Sequence, residues 1–305
     1  MVSTATPPVP AAHFHRVALI GRHVSPDIAE PLSRLASFLT ARGHEIVIEA
    51  ETARSTGIAA FPVAAAEALA SRADVAIVVG GDGTMLSIAR RLAPFAVPLI
   101  GVNQGRLGFL TDIPIARMEA TLEAMLAGRY VEERRTLLAA EVVRADGTRE
   151  AAFALNDVVL NRGGGGTMID CAVDIDGRFV YAMRADGIIV ATPTGSTAYA
   201  LSAGGPILDP KVPAFALVPV APHALTHRPI AIADTATIAL TLERGPGAAL
   251  HCDGQAHFAL VEGERVTVRR AQHAARFLHP EGHDYFAMLR EKLHWSETPE
   301  RLRNK

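Results

Sequence analysis

Gly80-Gly81-Asp82-Gly83-Thr84 sets three glycines around one carboxylate, after the apolar run DVAIVV (74–79) and before MLSIARRLA, which has helical spacing. Ligands of open α/β sheets sit beyond the carboxyl ends of strands, and a helix N-terminus offers unpaired backbone N–H groups to an anion. Glycines let that backbone approach phosphate oxygens with no Cβ in the way. Asp82 is the unusual member, because a carboxylate beside phosphate is repulsive unless it holds Mg²⁺ or takes a proton from an attacking hydroxyl. Both are roles in phosphoryl transfer. The bland alternative is a tight turn with a helix cap. The chain has neither GxxxxGK followed by Ser or Thr nor GxGxxG after the strand, which excludes a Walker-type loop and gives no sign of an ordinary dinucleotide fold.

A second concentration lies at 184–208, RADGIIVATPTGSTAYALSAGGPIL, where Thr192, Thr194, Ser196, Thr197 and Tyr199 crowd around Pro193 and Gly195. Hydroxyls and exposed amides in such a loop read the edges of a base or ribose. The competing reading is an irregular turn whose hydroxyls satisfy their own backbone, and the density of the run argues against a mere connector.

The elements that must position these residues alternate in the first third. RVALIG (16–21) has strand length. Ser25, Pro26 and Asp27 form a helix start for IAEPLSRLASFLTARG, with Pro31 able to shift that start and Gly43 as its terminator. HEIVIEA (44–50) predicts a strand, FPVAAAEALASRA a helix, DVAIVVG (74–80) a buried strand and VPLIGVN (97–103) another, and Asp112-Ile113-Pro114 opens a helix over IARMEATLEAMLAG. Continuous apolar strands between helices imply a Rossmann-like parallel sheet covered on both faces. From about 135 the texture changes: Asp-Gly pairs recur at 146, 176, 186 and 253 between runs such as TLLAAEVV, FALNDVVL, MIDCAVDI and TATIALTL. These read as hairpins of a mostly antiparallel β region. The expected division is a flexible leader at 1–14, an α/β domain at 15–134, a β-rich domain at 135–281, and a helix at 282–305 returning to the first domain.

Of 305 residues, 49% are hydrophobic and 20% charged, so a core is affordable and disorder is not indicated. A net charge of -2 with interspersed signs gives no nucleic-acid or membrane-surface footprint. Cys171 and Cys252 are far apart, against a disulfide framework or zinc site. The proline-bearing N-terminus has no long apolar core, and no run reaches transmembrane length. The expectation is a soluble cytoplasmic protein.

GGDGT at 80–84, Asn156-Asp157 in ALNDVVL, RADG, TPTGSTAY at 192–199 and DGQ at 253–255 occur in one order, and together the chain resembles the bacterial NAD kinase family from about residue 16 to about 290. GGDG alone is shared with lipid kinases and, loosely, phosphofructokinases; TPTGSTAY narrows the choice. The resemblance implies transfer of the ATP γ-phosphoryl group to the 2′-hydroxyl of the adenosine ribose of NAD, with Mg²⁺ accompanying ATP. By position it makes Asp82 the essential carboxylate, as base or as Mg²⁺ organiser, and places Gly81, Gly83 and Thr84 in the loop. It matches Asn156 and Asp157 to the pair that contacts NAD, Asp157 standing where many relatives carry Glu. Asp186 matches the acid before the hydroxyl-rich loop, and Thr194, Thr197, Ala198 and Tyr199 the positions around adenine and nicotinamide. Arg184 stands where Arg accompanies preference for NAD⁺ over NADH, His223 at a position near phosphate, and Gln255 closes DGQ. It also implies a homo-oligomer, dimer or tetramer. The other eleven histidines show no metal spacing and read as surface or core residues, so no metal ligand is assigned to the chain itself. The alternatives are a lipid or sugar kinase of the wider GGDG class, separable by its acceptor, and a non-catalytic NAD(P)-binding sensor, which would be favoured if Asp82 or Asn156 were replaced.

Overall fold

The computed structural model describes residues 14–21, 26–105, 108–144, 146–164 and 167–295. Most of the expected leader and the capping Ser25 lie outside the described residues. Phe14, assigned to the leader, is buried in the core beside Val17.

The first half runs β1 (Arg16–Gly21), α1 (Ala29–Thr40), β2 (Glu45–Glu49), α2 (Ala50–Thr56), β3 (Val63–Ala64), α3 (Ala66–Leu69), β4 (Val75–Gly80), α4 (Asp82–Leu92), β5 (Leu99–Asn103), β6 (Ile113–Pro114) and α5 (Met118–Leu126). Its strands form a parallel sheet in the order β3-β2-β1-β4-β5, with β6 beside β5. β4 and β5 are buried throughout, which is why they read as unbroken apolar runs. Gly80 pairs in register with Asn103, so the glycine loop and Asn103 leave the sheet side by side at its carboxyl edge.

α1 buries Leu32, Leu35, Ala36 and Leu39, the helical stripe expected of its sequence, and ends where Gly43 adopts φ +85°. A 3₁₀ turn at Pro26–Ile28 precedes it; Pro31 is then the third helical residue, where a missing N–H breaks no intrahelical bond. One expectation fails here: the segment 61–73 is a two-residue strand and one helical turn rather than a helix. α2 has no counterpart in the sequence reading, and the helix expected after Asp112 is present as α5, starting only after a two-residue strand and a 3₁₀ turn.

The second half runs β7 (Tyr130–Val143), β8 (Arg149–Ala154), β9 (Asp157–Asn161), β10 (Ile169–Ile175), β11 (Arg178–Ala185), β12 (Gly187–Ala191), α6 (Tyr199–Ser202), β13 (Ala214–Val220), β14 (Ile230–Ala233), β15 (Ile238–Arg244), β16 (Ala249–Cys252), β17 (Ala256–Ala259), β18 (Arg265–Pro280) and α7 (Tyr285–Lys292). Two antiparallel arrangements result: β11-β10-β15-β18, and a six-stranded sheet β14-β13-β12-β9-β16-β17. Phe215, Leu217, Leu240, Val268 and both cysteines share one apolar core. Asp176-Gly177 and Asp253-Gly254 turn hairpins with both residues at positive φ, as read. Asp186-Gly187 does not: it carries the chain from β11 into β12, in the other sheet. FALNDVVL is two strands, broken at Leu155-Asn156.

The chain separates into two compact units, Met1–Met85 with Val97–Glu133 and Phe277–Lys305, and Leu86–Ala96 with Arg134–Arg276, three of the four divisions falling within α4, β7 and β18 and the fourth just before β5. No helix among the described residues is long and apolar enough to cross a membrane.

Candidate functional site

In the first unit, α4 begins three residues earlier than its apolar spacing suggests. Thr84 and Met85 donate their N–H groups to the Gly81 carbonyl at 3.1 and 3.2 Å, which takes Asp82, Gly83 and Thr84 into the first turn. The Asp82 carboxylate is held from the β5–β6 connection. Oδ2 accepts the Phe109 N–H at 2.7 Å; Oδ1 accepts the Leu110 N–H at 3.0 Å and the Thr111 hydroxyl at 3.2 Å. Thr111 is itself fixed by the Asn103 amide at 2.8 Å, and Asn103 Oδ1 accepts the Gly105 N–H at 2.7 Å. Three donors are aimed at this one carboxylate and leave one acceptor position, on Oδ2.

The glycines around it serve different purposes. A Cβ on Gly101 would stand 2.5 Å from the Leu110 carbonyl, so glycine there lets the clamping loop lie against β5. A Cβ on Gly81 or Gly83 would meet nothing within 4 Å, and neither residue has a positive φ. Neither packing among the described residues nor backbone conformation requires glycine at those two positions; an approaching ligand would. The structure therefore offers a firmly oriented carboxylate at a helix start beside two faces of bare backbone.

In the second unit, a pocket of about 370 Å³ is lined by Asn156, Asp157, Val159, Asn161, Ala198, Tyr199, His251, Asp253 and Gly254. Its floor is the β8–β9 break. Asp253 turns into it at φ +53° and accepts the N–H groups of Leu155 (2.8 Å), Asn156 (2.7 Å) and Asp157 (3.1 Å), while Arg90 Nε lies 3.3 Å from Oδ2. Arg90 also donates to Gln255 Oε1 at 2.5 Å. Burial and then the neighbouring Asp253 charge push Asp157 up to about 7. Burial raises Asp253 as well, against the pull of its three N–H donors and Arg90. His251 is held below the usual imidazole range by burial and by His257, whose Nδ1 lies 3.3 Å from its own.

The hydroxyl-rich loop docks on the same break. Gly195 presses so closely that a Cβ would lie 2.0 Å from the Asn156 carbonyl oxygen, and the Thr192 N–H donates to that oxygen at 2.9 Å. The Thr192 hydroxyl donates to the Leu155 carbonyl at 2.5 Å, Ser196 to the Pro193 carbonyl at 2.6 Å and Thr197 to the Thr194 carbonyl at 3.2 Å; Thr194 accepts from Arg135 at 3.2 Å. Most of these hydroxyls thus build the loop, the role the sequence reading set aside. What the loop presents to the pocket is Ala198 and the half-exposed ring of Tyr199.

Asn156, Asp157, Ala198 and Tyr199 are therefore brought together. Thr194 and Thr197 stand behind the pocket as loop structure, and Gln255 meets Arg90. Arg184 does not line this pocket: it pairs with Asp170 at 2.7 and 2.9 Å beside a second cavity that includes Thr167, Met168, Arg244 and Glu262. Asp186 pairs with Arg162 at 3.3 Å, and the exposed His223 donates its backbone N–H to the Arg184 carbonyl at 2.8 Å. Asp253, Arg90, His251 and the Phe109–Thr111 clamp are missed from sequence. The signal for Asp253 was present in DGQ but carried a turn reading. Both cysteines are free and buried, and burial pushes each thiol up to about 12, which makes them inert.

A family model described as ATP-NAD kinase N-terminal domain matches residues 17–130, and one described as ATP-NAD kinase C-terminal domain matches residues 155–280. An NAD kinase of Nitrosospira multiformis is 53% identical over 289 residues, covering 95% of this chain and 98% of that protein. One of Aromatoleum aromaticum is 54% identical over 290 residues, covering 95% and 97%. Among solved structures, yeast NADH kinase complexed with NADH superimposes with a TM-score of 0.86 at 23% identity, over 95% of this chain and 93% of that one, a likeness of fold. An NAD kinase from Archaeoglobus fulgidus in complex with ATP gives 0.73 at 28% identity, over 92% and 98%.

Proposed function

The chain belongs to the ATP-NAD kinase family, and from that premise we propose that it transfers the γ-phosphoryl group of ATP to the 2′-hydroxyl of the adenosine ribose of NAD, giving NADP and ADP. The observation that carries this reading is the Asp82 carboxylate, fixed as an acceptor by three hydrogen bonds at the start of α4 beside the open faces of Gly81 and Gly83. The ribose oxygen forms a bond to the γ-phosphorus, the bond to the β,γ-bridging oxygen breaks, and the hydroxyl proton passes to the remaining acceptor position on Asp82 Oδ2. Positioning and charge neutralisation account for most of catalysis in such a transfer.

A single carboxylate with one oxygen position open fits Mg²⁺ of the kind that retains waters and binds chiefly through substrate phosphates. Where the ion takes that position, Asp82 organises it in place of receiving the proton, and the ion would supply neutralisation of charge on the β- and γ-phosphates. Gly81 and Gly83, with no Cβ in the way, let the phosphates approach the loop backbone, and Thr84 closes its first turn. Asn156 and Asp157 hold the ribose of NAD, with Ala198 and Tyr199 against a ring of the dinucleotide. Asp253 is a positioning residue: by gathering three consecutive N–H groups it fixes the conformation of the Asn156-Asp157 pair. Thr194, Thr197 and Gln255 act through the loops they hold. Arg184 serves preference for NAD⁺ over NADH, and Asp186 and His223 complete the family pattern around it.

A lipid or sugar kinase would have no use for the loop that presents Tyr199, and a sensor no use for the clamp on Asp82. The enzyme works in the cytoplasm as a homo-oligomer, dimer or tetramer, in contact with no nucleic acid or membrane. ATP-dependent formation of NADP from NAD by the purified chain, read with an NADP-specific dehydrogenase, tests the assignment, with a lipid and a sugar acceptor run alongside.

A further inference from the structure

Four side chains of the first unit converge where β18 ends. Asp112 Oδ2 lies 2.9 Å from His279 Nδ1 and 3.0 Å from His283 Nδ1, and His279 Nε2 lies 3.1 Å from Glu133 Oε2. His279 is 2% exposed, and the two imidazole rings stack 3.9 Å apart at 19°. Pro280, Glu281 and Gly282 separate the histidines; Gly282 takes φ +85°, which turns His283 back over His279 before the Asp284 carboxylate caps α7. A His-x₃-His spacing of this kind is one that metal sites use.

The cluster is hard to complete with protons alone. A doubly protonated His279 would satisfy both carboxylates, with His283 Nδ1–H donating to Asp112 beside it. Even then, Asp112 Oδ1 and His283 Nε2 are buried with no hydrogen-bond partner among the described residues. A buried carboxylate oxygen left without a donor is the kind of group a cation satisfies. The ligand atoms of Asp112, His279 and His283 all lie within 4.8 Å of one another. Two ligands at ~2.0–2.1 Å from one ion, meeting at ~90–110°, are about 2.9–3.4 Å apart, which is the separation observed. Glu133 completes the pattern, since a ligating histidine commonly donates its other N–H to a carboxylate that fixes the tautomer. With Nε2–H turned to Glu133, a neutral His279 aims its Nδ1 lone pair at Asp112, an arrangement that a cation between them satisfies.

We propose that Asp112, His279 and His283 form a binding site for a divalent first-row transition cation, of which Zn²⁺ is the representative, with Glu133 orienting His279 from behind. Two imidazole nitrogens and one carboxylate select such an ion over Mg²⁺ or Ca²⁺, which take oxygen ligands. The site ties the turn before α7 to Asp112, the residue after the Thr111 that holds Asp82.

The test is equilibrium dialysis of the full chain, stripped with a chelator, against Zn²⁺, with Mg²⁺ present throughout. One ion per chain is expected. His283→Gln should lose that stoichiometric binding, while Glu133→Gln should keep the site and weaken it about 10–100-fold. Melting of the zinc-free proteins separates loss of a ligand from loss of the fold. Anomalous diffraction from a zinc-loaded crystal of the unaltered chain needs no variant, and should place a peak bonded to Asp112, His279 and His283. Absence of stoichiometric zinc, equal affinity in His283→Gln and the parent, or a peak elsewhere would overturn the assignment and leave a proton-bridged cluster.

Discussion

A methyl group added to Gly108 would stand 2.0 Å from Oδ1 of Asp82, closer than any two such atoms approach. Gly108 is the wall against which that carboxylate is set, and the adjoining Phe109 and Leu110 N–H groups are the donors that orient it. Gly108→Ala therefore has to push Asp82 off its donors. The expected result is a kcat lower by about 100-fold, the scale that a misplacement of roughly 1 Å produces, with stability reduced by about 1–3 kcal/mol for the overpacking. Steady-state kinetics beside a thermal melt checks both, and an unchanged kcat would separate the clamp from catalysis.

Gly83 makes the opposite prediction for stability. It lies within α4, and its added Cβ would meet nothing within 4 Å. Gly83→Ala should raise stability by roughly 0.5–1 kcal/mol, since glycine is a poor helix residue, while KM for NAD or ATP rises because the bare backbone face is lost. A variant that melts higher and binds substrates as before would return this glycine to chance.

Asp253 collects three backbone N–H groups, and Arg90 sits against it. Asp253→Ala leaves those donors without an acceptor and takes the carboxylate away from Arg90 in a buried place, at a cost of about 3–5 kcal/mol. The chemical-denaturation midpoint should fall accordingly. Because the Asn156-Asp157 backbone loses its anchor, KM for NAD should rise even at temperatures where the variant is folded. A loss smaller than about 1 kcal/mol would contradict the role given to this turn.

The Asp157 carboxyl, pushed up to about 7 by burial and by Asp253, gives a pH dependence of known sign. An acid whose native pKa lies above its unfolded value favours the folded state when protonated. The parent should therefore lose stability as pH rises from about 4 to about 7 and lose no more beyond. Asp157→Asn lacks that slope and should gain on the parent above neutrality. In kinetics, kcat/KM for NAD should carry an ionisation near neutrality that belongs to the Asp157–Asp253 pair and vanishes in Asp157→Asn. Parallel stability curves for parent and variant across this range would contradict it.

Legibility in the sequence followed burial. β1 is recognisable to the residue and β4 to within one because strands covered on both faces read as unbroken apolar runs, and Gly43 marked a helix end because few other residues accept its backbone angle. The antiparallel half was legible through its Asp-Gly turns at 176 and 253, with Asp186-Gly187 the exception because the same dipeptide also serves a crossing between sheets. The helix expected at 61–73 failed because its alanines carry helical propensity but little apolar surface to hold it. Side-chain alliances were less visible. The donors to Asp253 come from 96–98 residues away, and those to Asp82 from 27–29. Local spacing carries no trace of either. The histidines at 279 and 283 looked ordinary because Asp112 and Glu133 are distant in sequence.

The most direct test of the central claim is NADP formation by the purified chain supplied with NAD, ATP and Mg²⁺, beside Asp82→Asn. Asn keeps the side chain's shape while removing the charge that the three donors address. The parent should form NADP, and the variant should remain folded with kcat lower by a factor of at least about 100 and a smaller change in KM. A folded parent that forms no NADP would contradict the assigned reaction; a variant as fast as the parent would contradict the role of Asp82.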